Sequence, residues 1–170
     1  MDTDLSKTIS RINQRMKKIL LATGLFVGAH INVISQFSQG AKDSARMEIQ
    51  QLTNDWNEAI MHPDSVKLDK ILAPGYSLNG FVNRSIWMAN TLHHLTTDTL
   101  EILGDLAITF YGQAAKSEGA YYWKAAYAPG GIHSGPSKIN AEFLITDIWI
   151  KRDGHWQVLI RMSLPSKLRQ

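Results

Sequence analysis

The chain has no cysteine and only five prolines in 170 residues. Without cysteine there are no disulfides, thiol nucleophiles, thiolate metal sites or lipid anchor on a thiol. The compartment stays open, because many small exported domains need no staple. Excess charge is also missing from most of the chain, although the whole carries a formal +3. Lys7, Arg11, Arg15, Lys17 and Lys18 all precede the first apolar run. Removing residues 1–35 takes five of the 18 cations and two of the 15 acids, Asp2 and Asp4, and leaves 13 of each sign. A neutral domain lacks the basic face that nucleic acid requires, so no nucleic-acid partner is expected. Metal-ligand spacing is absent too. His62, His133 and His155 are scattered over turns, and His93-His94 lies near a helix end, with no His-x-His or His-Glu-x-x-His pattern. No metal and no cofactor is implied. Gly130-Gly131 lacks the lysine and the strand–helix context of a phosphate loop, and no Ser/His/Asp order stands out.

What is present fits one domain able to bury a core, with 44% hydrophobic and 19% charged residues. Met16-Lys17-Lys18 precedes the apolar run Ile19–Ile34, after which small and polar residues follow from Ser35 to Ala41. This layout matches a secretory signal peptide over residues 1–35, with Met16 as an alternative start and residues 1–15 as an upstream extension. Cleavage is expected after Ser35, or after Gly40. An uncleaved anchor is the competing reading, but the run is shorter than the roughly 20 residues of a span and contains His30 and Asn32. The expectation is a bacterial protein exported to the periplasm or beyond, with no stable membrane anchor after cleavage.

Residues 36–45 read as a flexible mature N-terminus. Met47, Ile49, Leu52, Trp56, Ala59 and Ile60 recur at spacings of three and four, which predicts an amphipathic helix over 42–61. His62-Pro63-Asp64 ends it, and Asp64 or Ser65 can cap a short helix carrying Val66, Leu68, Ile71 and Leu72. A strand over Tyr76–Gly80 and a third helix over Arg84–Leu95 follow. Strands are expected at Thr99–Leu103 and Leu106–Gly112, with a turn at Gly104-Asp105. The glycines and prolines between residues 117 and 138 predict an irregular insertion, in which Tyr121-Tyr122-Trp123 could form a lid. Strands Asn140–Arg152 and His155–Leu164 close the domain, and residues 165–170 read as a tail. Helices first and a strand meander after them indicate an α+β fold with a mostly antiparallel sheet.

A three-residue turn at Arg152-Asp153-Gly154 would pair Ile150 with Trp156, Ile148 with Val158, Thr146 with Ile160 and Leu144 with Met162. That face would pack on the helices, and the opposite one would carry Phe143, Asp147, Trp149, Leu159 and Arg161. A mixed face with an Asp147/Arg161 diagonal suits a homodimer interface.

Two segments then carry a family resemblance. The first is Glu48-Ile49-x-x-Leu52-x-x-x-Trp56-x-x-Ala59, continuing as Asp64-x-x-x-Leu68-x-x-Ile71-Leu72-Ala73-x-x-Tyr76. The second is Thr146-Asp147-Ile148-Trp149-Ile150-Lys151-Arg152-Asp153-Gly154-x-Trp156-Gln157-Val158. Together they resemble the SnoaL-like families of the nuclear-transport-factor-2-like superfamily, above all the domain of unknown function 4440, over about residues 46–164. The resemblance implies a cone-shaped (cystatin-like) fold in which a curved sheet wraps N-terminal helices around a pocket, often dimerised through the sheet. Some relatives are isomerases, dehydratases or cyclases on hydrophobic ring compounds, and others only bind.

Against that pattern, the strand Tyr76–Gly80 holds no acid, and Leu144 and Met162 stand where many relatives carry polar groups. The residues therefore imply a greasy pocket for a small hydrophobic molecule, lined by Trp56, Tyr76, Trp87, Tyr111, Leu144 and Met162. Asn79, Arg84 and Thr146 are the polar groups placed to orient a ligand. No catalytic residue can be assigned. An isomerase or dehydratase, and an interaction module with a filled cavity, are the alternatives.

Overall fold

The computed structural model describes residues 38–130 and 138–168. The expected leader, with its cut after Ser35, lies outside them, as do His133 and the glycine-rich stretch 131–137. Helix α1 spans Gln39–Met61; the Ser38 hydroxyl caps it, accepting the Ala41 N–H at 3.3 Å. The expected flexible segment 36–45 is therefore helical from Gln39, and Ala45 is already buried. Ile49, Trp56, Ala59 and Ile60 continue the buried stripe, and the Thr53 hydroxyl donates back to Ile49 O at 2.8 Å. Asp64 caps α2 (Ser65–Ile71) by accepting the Lys67 N–H at 2.9 Å. Asn83 does the same for α3 (Arg84–His93), accepting from Ile86 N at 3.0 Å.

Six strands form one sheet: β1 (Leu72–Leu78), β2 (Val82–Asn83), β3 (Leu95–Tyr111), β4 (Ala114–Tyr127), β5 (Lys138–Arg152) and β6 (His155–Leu168). Their order is β2-β1-β6-β5-β4-β3, antiparallel throughout except for the parallel β1–β6 pair. The inner face packs on α1 and the two shorter helices, around Ile49, Trp56, Leu68, Tyr76, Trp149, Trp156 and Val158.

Three expectations give way. The turn at Gly104-Asp105 is an irregularity inside one long strand, with Gly104 at φ +90° and the register shifting between Leu103 and Ala107. Where the irregular insertion over 117–138 is expected, residues 117–127 instead belong to strand β4, paired on both edges. Gly119 does not break it. A Cβ there would lie 2.7 Å from Leu106 Cδ2, so the missing side chain makes room for the bulged Leu106. Tyr121 is accordingly a core residue and not part of a lid. The expected tail also pairs: β6 continues to Leu168, opposite Ala141.

The β5–β6 hairpin closes through two residues, not three. Asp153 (φ +50°) and Gly154 (φ +83°) are both left-handed, Arg152 pairs with His155 and Lys151 with Trp156. Two positive φ values define the type I′ geometry that suits the twist of a hairpin. One residue of difference in register exchanges the two faces. Ile145, Asp147 and Trp149 therefore point inward, while Leu144, Thr146, Ile148 and Ile150 point outward. Beyond the turn, the register on β6 shifts first between Trp149 and Ile148. Val158 pairs with Trp149 and Ile160 with Ile148, leaving Leu159 as an unpaired bulge residue. Val158 is inward before the bulge and Arg161 is inward after it.

Candidate functional site

The bulge at Leu159 brings Arg161 opposite Asp147 on the inner face, and the two form a bidentate pair. Arg161 Nε donates to Asp147 Oδ1 and Nη2 to Oδ2, each at 2.8 Å. They are the two charged side chains among the described buried residues, with 5% and 1% of their surface exposed. The Arg161 guanidinium carbon also lies 3.4 Å from the centre of the Trp56 ring and 5.8 Å from that of Tyr121. Burial by itself would depress the Arg161 pKa, but the charge and hydrogen bonds of Asp147 outweigh it and the net shift is upward.

Trp56, Tyr76 and Trp87 meet edge to face, with ring centroids 5.5–5.9 Å apart. They tie α1, β1 and α3 to the guanidinium. Tyr76 Oη, Tyr121 Oη and Trp56 Nε1, around this centre, are buried without a hydrogen-bond partner among the described residues, as are Asn57 Oδ1, Arg84 Nε and Trp156 Nε1. Two other inner-face indoles are satisfied, Trp149 Nε1 by Ser117 Oγ at 2.9 Å and Trp123 Nε1 by Thr97 Oγ1 at 3.3 Å, whereas Trp156 Nε1 is not. Burial pushes both phenols well above their ordinary pKa; Arg161 opposes the shift and Asp147 adds to it. Both phenols therefore stay protonated at neutral pH and are available as donors. One inner-face step beyond Tyr121 and Ile145, Trp123 and Phe143 are half-buried, their rings 5.8 Å apart. They form an aromatic collar where the inner face is incompletely covered.

Of the residues expected in the pocket, Trp56, Tyr76 and Trp87 come together. The other six do not. Leu144 is 56% exposed on the outer face, where Thr146 and Met162 pair with each other. Tyr111 is exposed at the end of β3. Arg84 is bonded to the Asp69 carboxylate and backbone, joining α3 to α2. Asn79 is structural: its N–H donates to Arg161 O and its Oδ1 accepts the Ser163 N–H, both at 2.8 Å, which clamps the segment that carries Arg161. The expected interface residues are inverted likewise. Asp147, Trp149 and Arg161 are buried, Phe143 is on the inner face, and Leu159 sits at the bulge beside Gly75. Tyr121 was missed because its glycine-bounded stretch reads as a loop. The one signal that would have found it is its alternation with Ala115, Ser117 and Ala125. Among the described residues no three histidine or carboxylate groups cluster as metal ligands.

The helices, curved mixed sheet and enclosed centre define a nuclear-transport-factor-2-like fold, and the comparison with solved structures agrees. A nuclear-transport-factor-2-like protein from Cytophaga hutchinsonii superposes with a TM-score of 0.60 at 16% identity, over 71% of this chain and 98% of that one. A superfamily protein from Salmonella enterica serovar Typhimurium gives 0.58 at 15% identity, over 76% and 94%. A hexachlorocyclohexane dehydrochlorinase gives 0.58 at 15% identity, over 78% and 94%. No protein-family model matches the chain, and no curated protein matches it.

Proposed function

We propose that this is an exported, SnoaL-like small-molecule-binding domain of the domain-of-unknown-function-4440 type, which holds its ligand against the inner sheet face as a homodimer. The observation that carries the binding reading is the set of unpartnered donors from Tyr76, Tyr121 and Trp56 around a bonded ion pair. Each buried polar group without a partner costs about 1–3 kcal/mol, and such groups call for an occupant that satisfies them. The collar of Trp123 and Phe143 supplies the apolar approach. Binding is favoured over isomerase or dehydratase chemistry because both oxygens of Asp147, the buried acid, are taken by Arg161.

The dimer reading moves to the other face of the sheet. Leu144 and Leu164 pair across β5 and β6 and are 56% and 59% exposed, with Ile148, Ile150, Ile160 and Met162 beside them. A continuous apolar strip of this kind suits a second copy of the same surface. On export, a cut after Ser35 keeps the Ser38 cap on α1, whereas a cut after Gly40 falls inside the helix. Native mass spectrometry of protein purified from the exported fraction tests all three parts. A dimer beginning at Gln36 with a retained small mass is the expected result. An unliganded monomer that retains Met16 would overturn the reading, and a ligand-free dimer would leave a filled interaction module.

A further inference from the structure

The buried ion pair bears on which ligands the centre can accept. Arg161 brings one positive charge to the inner face and Asp147 cancels it through two hydrogen bonds. No other charged side chain among the described residues is buried there. A ligand carboxylate set against the tyrosine hydroxyls would therefore add a negative charge with no cation left to balance it. Desolvating such a charge costs several kcal/mol. A carbonyl oxygen has two lone pairs, suits two phenol donors, and adds no charge. Tyr76 Oη, Tyr121 Oη and Trp56 Nε1 supply the donors.

We infer that the centre selects an uncharged ligand that presents a carbonyl oxygen to Tyr76 and Tyr121 with its apolar body at the Trp123–Phe143 collar, and that Asp147 determines this specificity by masking Arg161. The inference rests on the binding reading above and adds the chemical class. Asp147 acts through Arg161 and is a positioning residue. Neutralising it would expose a buried cation and reverse the preference toward anions.

The test uses matched probes, acetophenone and benzoate, titrated calorimetrically into the full mature protein at neutral pH. The carbonyl stretch of bound acetophenone is followed by infrared difference spectroscopy. The wild type is expected to bind acetophenone at least about tenfold more tightly than benzoate, with the carbonyl band moved to lower frequency. Tyr76→Phe and Tyr121→Phe should each weaken acetophenone and reduce the band shift. Asp147→Asn should invert the preference. If Asp147→Asn does not fold, the two phenylalanine variants, which keep the volume, carry the test through the band shift. Benzoate binding as well as acetophenone would overturn the selection and leave the binding reading standing. An unmoved carbonyl band, or an unchanged preference in folded Asp147→Asn, would overturn the assignment of those residues. Failure of both probes to bind the wild type would remove the inference and the binding reading together.

Discussion

Tyr76 and Tyr121 give the molecule an alkaline limit. Their folded pKa values lie above the unfolded value of about 10, because burial penalises the phenolate. Below that pH both states hold the proton and nothing changes. Above it the unfolded chain binds fewer protons than the folded one, so stability falls as pH rises, by up to about 1.4 kcal/mol per pH unit for each tyrosine. Denaturant midpoints measured between neutral pH and pH ~11 should show this loss, and Tyr76→Phe and Tyr121→Phe should each remove a part of it. At neutral pH and without ligand, each variant should be as stable as the wild type or more so, since an unpartnered hydroxyl is gone. The ion pair behaves differently. Asp147→Ala strands a buried guanidinium and should cost about 3–5 kcal/mol in urea unfolding. Replacing both partners, Asp147→Leu with Arg161→Met, should recover most of that loss.

At the scale of elements, two glycines are held by different constraints. Gly154→Ala places a Cβ at φ +83° and should cost about 1–2 kcal/mol through the left-handed turn. Gly119→Ala should cost about 1–3 kcal/mol through overpacking against Leu106. Thermal unfolding of the two variants checks both, and Leu106→Val should relieve only the second. The same glycines show what was legible in the sequence. The three helices could be read because apolar residues recur every three or four positions and Asp64 can cap. The last two strands were legible from their alternation and from the Asp153-Gly154 turn. The side that each strand shows was not legible, because it depends on whether two or three residues close that turn. Asp-Gly itself favours two, and that would have put Asp147 and Trp149 inside; Arg161 comes inside only through the bulge at Leu159. The bulge at Leu159 has no such signature: it follows from pairing with β5 and from the neighbouring β1, where Gly75 lies close. Gly104 and Gly119 were read as breaks because glycine at a bulge and glycine at a turn look alike until the partner strand is known.

For the whole molecule, the resemblance of the two flanking segments correctly indicated the architecture, and the fold was therefore more legible than the site. The site draws on α1, β1, β4, β5 and β6, which no local pattern links. Its outer face yields a prediction at the same scale: Leu144→Asp or Leu164→Asp should shift the proposed dimer to monomer in sedimentation equilibrium while leaving the circular dichroism spectrum unchanged.

The parallel pairing of β1 with β6 has a consequence for biosynthesis. Tyr76 and Arg161 are brought together by strands whose sequences lie at opposite ends of the domain. During synthesis, α1, α2 and β1 leave the ribosome long before the strand that will cover them exists. Contacts of such high sequence separation form late and slowly. The domain should therefore stay unfolded until β6 has emerged, a state compatible with the proposed export.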